Sequence, residues 1–208
     1  KLPLLVVGYE QNQGLAHALN YGLQFVETEL VARMDSDDIC FPNRFEKQVY
    51  QFMANPEIEV LGGGIEEFYK SETADFKRVR LYPKYTDKKS LSLYKGTPAA
   101  HPTLMCKTEL LKKFGYSETV KCNEDIDLYF RFLEDGHSIY TLQEPSINFR
   151  ITDSTFKRRS LSKSIQEFKI YWNYLHKFNG VSKKDILPVA RFLSRLIPCS
   201  LNKKLYLL

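Results

Sequence analysis

The 208-residue sequence predicts an α/β domain, a mostly parallel sheet flanked by helices over residues 1–150, with a basic helical tail over residues 151–208. Three observations carry this. Short apolar segments of strand character alternate with stretches whose apolar residues recur at helical spacing, the signature of strand-helix units around a parallel sheet. Acidic residues gather where such a segment ends, the side of an open sheet on which ligands bind. Beyond Arg150 the strand signal stops and apolar residues step by three and four.

Taken in order, "KLPLLVVGYEQ" opens with an apolar β-type run, and Leu15, Leu19, Leu23 and Val26 fall at helical spacing after the Asn12-Gln13-Gly14 turn. Leu30 to Met34 form a second short strand. Phe45, Val49, Phe52 and Met53 mark the buried face of a helix started at Pro42. "IEVLGGGIEEF" is a strand pair or one bent strand, with Gly62 to Gly64 allowing close backbone approach. Residues 70–95 are polar and read as an irregular surface excursion. "HPTLMCKTELLKKFGY" predicts a strand and a short helix ended by Gly115. Ile126, Tyr129, Phe130 and Leu133 make another helix, stopped at Gly136, and "HSIYTL" closes as a strand. In the tail, Leu161, Ile165, Phe168, Trp172 and Leu175 outline a long helix, and a shorter one follows Pro188.

The net charge of +5 is unevenly spread: residues 151–208 carry 12 Lys/Arg against 3 Asp/Glu, residues 1–150 carry 18 against 22. An acidic front half argues against a nucleic-acid-binding core. The basic tail, with Val189, Phe192, Leu193, Leu196 and Ile197 on one face and Arg191, Arg195, Lys203 and Lys204 beside them, is expected to lie on an anionic membrane surface or to pack on the main domain. No segment has the order of a signal peptide, and no run approaches the roughly 20 apolar residues of a membrane span. The expected location is therefore cytoplasmic, peripheral on the membrane's cytoplasmic face. Cys40, Cys106, Cys122 and Cys199 show no metal-ligand spacing and are expected as reduced thiols.

Two acidic constellations stand out. "VARMDSDDICFP" runs an apolar strand into Asp35, Asp37 and Asp38. Two carboxylates about 4 Å apart repel by roughly 4 kcal/mol at an effective dielectric near 20, so three at a strand end call for a cation. Mg²⁺ or Mn²⁺ takes oxygen ligands, commonly one or two carboxylates with the rest from water and substrate phosphates. The plainer alternative is an acidic turn favouring the start of the next helix. The second is "NEDIDLYFR", where Glu124 and Asp125 open a helix; one of them is placed to serve as a general base, or the pair is simply a cap.

In this order and spacing, "NQGLAHALNYGL", "ELVARMDSDDICFPNRFEKQVYQF", "AAHPTLMCKTELLKKFGY" and "NEDIDLYFRFLEDG" resemble the family 2 glycosyltransferases of the GT-A, Rossmann-like fold. The resemblance implies inverting transfer of a sugar from a nucleotide diphosphate sugar, a UDP-sugar being the expected form, to an acceptor hydroxyl in surface polysaccharide or lipid-linked glycan synthesis. It implies Asp37 as the metal ligand, with Asp35 beside it near the donor's ribose or sugar, and Asp38 as a neighbour. It implies Asp125 as the base and Glu124 as the residue that places the acceptor. His101 borders the donor sugar in similar enzymes, the alternative being a structural hydrogen-bonding residue, and Arg33 and Arg44 flank the acids where they could steady a phosphate or form helix-surface ion pairs. A histidine common shortly after the arginine of "NFRITDSTF" is replaced by Thr152. Related enzymes open with a strand-helix-strand unit that holds the base. This sequence begins after it, so the sheet is expected to lack that unit and to expose an apolar edge near Leu4 to Val7, open to self-association. Two other readings accompany this one: a non-catalytic remnant or partner-completed module without donor binding, and nucleotidyl transfer on a similar sheet.

Overall fold

The computed structural model describes residues 3–70, 75–90, 96–120, 122–152, 155, 161–180 and 186–196. In chain order these form α1 (Leu15–Leu23), β1 (Leu30–Ala32), β2 (Ile39–Cys40), α2 (Arg44–Ala54), β3 (Val60–Lys70), β4 (Asp75–Arg80), β5 (Tyr85–Thr86), a 3₁₀ turn (His101–Thr103), β6 (Met105–Lys107), α3 (Thr108–Phe114), α4 (Glu124–Glu134), β7 (Ile139–Arg150), α5 (Leu161–Asn179) and α6 (Ile186–Arg195). The strands make one seven-stranded sheet of order β1-β6-β3-β7-β2, with β4 on β3 and β5 on β7.

The α/β class holds, but the sheet is not mostly parallel. Among the described strands only β3 and β7 run parallel, and the other five pairings are antiparallel. The reason lies in β6. Strands β1 and β3, joined through α2, do run the same way, but β6 enters from the 3₁₀ turn and inserts between them against both. Alternating strand and helix signals cannot show such an insertion.

Two further expectations are corrected. The run Leu4 to Val7 is not a strand; no described strand pairs with it, and Leu4 and Val6 stand 87% and 83% exposed. An apolar β-type run becomes a strand only where a ladder partner takes its N–H and C=O groups. Conversely, the stretch read as irregular holds β4, paired with β3 from Ile65↔Arg80 to Lys70↔Asp75, and β5. Its polar character suits an edge hairpin with one solvated face.

Strand β3 is a single bent strand, and its register against β7 slips on either side of Gly64. A Cβ on Gly63 would lie 2.0 Å from Ser146 Oγ and 2.8 Å from Ser146 Cβ, and one on Gly62 would lie 2.6 Å from Ala99 Cβ. Rotating the serine hydroxyl relieves the first contact but not the second, which is fixed by the backbone of β7. Gly63→Ala is therefore expected to destabilise the fold by about 1–3 kcal/mol, the usual cost of overpacking, read from urea denaturation. A change under about 0.5 kcal/mol, the scale of an ordinary surface substitution, would mean that β3 and β7 do not approach this closely.

The main core lies where α1, α3, α4 and α5 cover the sheet, around Leu104, Cys106, Leu128, Phe132, Ile139, Tyr171 and Leu175. Phe130 of α4 stacks on Tyr174 and meets Tyr171 edge-on, so α5 shares its core with residues before 150. The face α5 buries is Ser164, Glu167, Tyr171 and Leu175, whereas Leu161, Ile165 and Trp172 of the predicted stripe are exposed. Helix α6 begins at Ile186, with Pro188 inside its first turn, where a missing N–H costs nothing. Cys40, Cys106 and Cys122 are free thiols; Cys199, Ile197, Lys203 and Lys204 lie outside the described residues.

Candidate active site

The acidic loop follows β1 directly. Arg33 continues the strand, donating its backbone N–H to Leu104 O at 2.8 Å. Its guanidinium then turns onto the next acid, with Nη1 donating to Asp35 Oδ2 at 2.8 Å and Nη2 to Asp35 Oδ1. Two residues on, Asp37 is exposed, while Asp38 turns inward and accepts the backbone N–H of Arg150 on Oδ1 at 2.9 Å. Arg150 Nε donates to Asp37 O, so the end of β7 clamps the loop from both sides. Burial pushes the Asp38 carboxyl up to about 6 against the pull of the Arg150 N–H, with the Asp35 and Asp37 charges adding to the rise.

One carboxylate oxygen from each of Asp35, Asp37 and Asp38 lies within 4.8 Å of the others. Asp38 Oδ2 is buried and has no hydrogen-bond partner among the described residues. Asp35 spends one lone pair of each oxygen on Arg33 and keeps others. Such a hard-oxygen set fits Mg²⁺ or Mn²⁺.

Beneath this loop lies a polar stack that the sequence reading missed. Arg44 and Gln48 of α2 are fully buried, whereas Phe45, Val49 and Met53, predicted as the buried face, are exposed. Arg44 Nη2 donates to Arg33 O at 2.9 Å and Nε to Gln48 Oε1 at 3.0 Å; Gln48 Nε2 donates to Thr103 O at 2.8 Å. Thr103 Oγ1 accepts Gly63 N–H at 2.9 Å and donates to Ala100 O at 2.7 Å. The chain of bonds ties α2, the 3₁₀ turn and β3 to the backbone of Arg33. Arg44 thus braces the strand end rather than reaching toward a phosphate, and burial lowers its pKa. His101 is buried beside this stack with Nε2 2.8 Å from the Tyr116 hydroxyl, and desolvation keeps its imidazole neutral.

The second acid pair starts α4. Asn123 takes a left-handed backbone, φ 63°, which Asn tolerates better than most residues. That turn presents Glu124 and Asp125 to a cavity of about 830 Å³. Burial first, then the neighbouring Glu124 charge, pushes the Asp125 carboxyl up to about 6. Asp127, in the same first turn, is structural: it receives Arg131 Nε at 2.8 Å, and Arg131 also donates to the Phe114 and Gly115 carbonyls at the end of α3.

Arg33 acts on both constellations. It holds Asp35 and its charge lowers the carboxyls of both Asp38 and Asp125, a minor influence beside burial in each case. The structure brings Arg33, Asp35, Asp37 and Asp38 together at the end of β1 and sets Glu124 and Asp125 at the start of α4 on a cavity that the acid loop does not line, with His101 buried against Tyr116. Thr152 bonds locally, its N–H donating to Thr155 Oγ1 at 3.1 Å. The tail arginines turn inward: Arg191 Nε and Arg195 Nη2 donate to the buried Glu167 at 2.6 and 3.0 Å, while Val189, Leu193 and Leu196 face outward.

Comparison with known proteins bears on what this arrangement does. The model of the family described as Glycosyl transferase family 2 matches residues 3–115. The amylovoran biosynthesis glycosyltransferase AmsE of Erwinia amylovora is 31% identical over 99% of this chain and 77% of its own length. An Escherichia coli enzyme, the UDP-Gal:alpha-D-GlcNAc-diphosphoundecaprenol beta-1,3-galactosyltransferase, is 30% identical over 95% of this chain and 72% of its own length. Among solved structures, the mannosyltransferase PcManGT of Pyrobaculum calidifontis, in complex with GDP-Man and Mn²⁺, superposes with TM-score 0.51 at 18% identity over 89% of this chain, which spans about half (54%) of that chain.

Proposed function

Because the chain belongs to glycosyl transferase family 2 and has the GT-A type of fold, we propose that it carries out inverting, divalent-metal-dependent transfer of a sugar from a nucleoside diphosphate sugar to an acceptor hydroxyl during polysaccharide or lipid-linked glycan assembly. The observation that carries the reading is the pair of acid groups, the metal-type loop of Asp35, Asp37 and Asp38 at the end of β1 and the cavity-facing Asp125 at the start of α4. The remnant reading loses ground to it, since a module without transfer has no need of a carboxylate held at such cost.

In this reading Asp37 is the principal metal ligand and Asp35 the second, using the lone pairs that Arg33 leaves. When bound, Mn²⁺ or Mg²⁺ supplies Lewis-acid stabilisation of the departing diphosphate. Arg33 fixes Asp35 and adds positive charge where the leaving group becomes more negative. Asp38, held by Arg150, sets the loop's shape. Asp125 takes the proton from the acceptor hydroxyl as that oxygen attacks the anomeric carbon, and Glu124 orients the acceptor. One displacement with the base opposite the leaving group inverts the anomeric centre.

A UDP-sugar is the proposed donor, supported by the galactosyltransferase relative. The proposed place of work is the cytoplasmic face of the membrane, where a lipid-linked acceptor presents itself; among the described residues no helix is long and apolar enough to cross it. The test is incubation of the purified chain with Mn²⁺, a panel of nucleoside diphosphate hexoses and water or a glycosyl lipid as acceptor, followed by NMR of the released sugar's anomeric configuration. Metal-dependent turnover with inversion is expected. Absence of donor turnover across the panel, or a retained configuration, would overturn the proposal.

A further inference from the structure

The cavity that holds Glu124 and Asp125 is also lined by Arg80, Lys163, Arg191 and Arg195, and the reaction described above uses none of these cations. They come from distant parts of the chain: Arg80 ends β4, Lys163 lies on α5, and Arg191 and Arg195 are one turn apart on α6. Arg80 and Arg191 converge at Gly96. A Cβ placed there would lie 3.6 Å from Arg80 Nη2 and 3.5 Å from Arg191 Nη1, so the two nitrogens are no further apart than those distances together.

Two buried carboxylates hold the arginines in place without using up their donors. Glu167 Oε1 accepts from Arg191 Nε and Arg195 Nη2. Glu67, also buried, accepts Arg78 Nε and Nη2 on Oε2 at 3.0 and 2.7 Å, and its Oε1 is 3.7 Å from Arg80. Arg191 and Arg195 thus share one carboxylate and Arg80 shares the other with Arg78, while the cavity wall sets Arg80, Lys163, Arg191 and Arg195 against Glu67, Glu124, Asp125 and Glu167. Among the described residues, Arg191 donates no hydrogen bond from its Nη groups, its guanidinium lying 5.1 Å from the Tyr171 ring centroid, and Arg80 has the long pairing with Glu67 and lies 5.4 Å from the Tyr82 ring centroid. Two guanidinium forks that converge with unspent Nη donors offer charge-assisted hydrogen bonds to a further oxyanion.

We propose that Arg80, Arg191 and Arg195 form a phosphate subsite for the acceptor, and that the acceptor is a glycosyl phosphate or diphosphate whose anion sits there while its sugar hydroxyl addresses Asp125. The forks approach from two elements in different directions, which suits a tetrahedral anion with several oxygens better than a flat carboxylate. The donor's diphosphate is not the occupant, because Asp35, Asp37 and Asp38 do not line this cavity. The inference rests on the reading of Asp125 as the base, and it accounts for arginines in the tail without a lipid surface.

The test is calorimetry of the full chain in EDTA, which removes any metal route for phosphate, with N-acetylglucosamine 1-phosphate, glucose 1-phosphate, the methyl glycosides of both sugars, and inorganic phosphate. At least one sugar phosphate is expected to bind where its methyl glycoside does not, and more tightly than inorganic phosphate. Arg80→Gln and Arg191→Gln should each weaken that binding about tenfold, the value of one charge-assisted hydrogen bond. Arg191 also holds Glu167, so Arg80→Gln, at a largely exposed position, decides the matter if the other variant unfolds. The proposal is overturned if neither sugar phosphate binds, if the methyl glycosides bind equally well, if inorganic phosphate binds as tightly, or if Arg80→Gln binds like the wild type. Failure of the transferase reading shows itself separately, as intact sugar phosphate binding with no donor turnover.

Discussion

Asp125→Asn is expected to lower the transfer rate by roughly 10²–10⁴-fold, the usual contribution of a positioned general base, while leaving affinity for the nucleoside diphosphate nearly unchanged. The amide keeps the side chain's shape and its place at the start of α4 but cannot take a proton. Stability should move the other way. In the fold the Asp125 carboxyl titrates near 6 instead of 3.8, chiefly through burial and then through Glu124. A raised carboxyl favours folding below the unfolded value and loses that contribution as pH rises through 6, so at pH 8 the ionised form is a burden on the fold. Removing it should stabilise the metal-free protein at pH 8 by up to about 3 kcal/mol, since each pKa unit corresponds to roughly 1.4 kcal/mol, and by less to the extent that cavity water reaches the group. Below pH 4 the difference should vanish. The same titration sets the activity profile: the wild-type rate should fall about tenfold per pH unit below 6 as the base becomes protonated. A variant that lost rate and stability together, at every pH, would mark Asp125 as a packing residue.

Both acidic constellations are legible in the sequence because each is a local event, charge concentrated at the end of an apolar strand or at the start of a helix. What supports them is not local. On paper Arg44 and Gln48 are the solvent side of an amphipathic helix, and Phe45, Val49 and Met53 its core side. The structure reverses this because Arg33 O and Thr103 O need donors beneath the loop, and only a helix that turns its polar face inward supplies them. The sequence likewise leaves open whether Arg191 and Arg195 face a lipid surface or pack on the main domain, for their partner Glu167 lies on another helix, off the apolar stripe of Leu161, Ile165 and Trp172. Strand direction was illegible for a related reason: it depends on which strand inserts between two others, and the three residues of β6 carry no mark of their neighbours. Where polar burial or sheet order depends on partners far along the chain, periodicity gives the element and misplaces its face.

Asp37→Asn is expected to weaken Mn²⁺-dependent binding of UDP by at least 10–100-fold, a range already reached when partners outside the coordination shell are removed from metal sites. The three acids are engaged differently. Asp35 is held by both Nη groups of Arg33, and Asp38 is turned inward by the Arg150 N–H, whereas Asp37 is exposed and, among the described residues, its backbone oxygen is engaged by Arg150 Nε while its carboxylate accepts no hydrogen bond. Its carboxylate is the one positioned to meet a hydrated cation that also carries substrate phosphates. Replacing it with an amide removes a full negative charge while the polypeptide around it keeps its hydrogen bonds, so little change in stability should accompany the loss. Ser36→Ala, at the exposed position between Asp35 and Asp37, should leave the metal dependence as it was. Calorimetric titration of UDP into wild type and both variants, with Mn²⁺ and with EDTA, separates the contributions: Asp37→Asn should lower the affinity in Mn²⁺ towards the value in EDTA and leave the EDTA value alone. Equal Mn²⁺ dependence in the wild type and Asp37→Asn would remove Asp37 from the coordination shell and shift the assignment to Asp35 and the buried Oδ2 of Asp38.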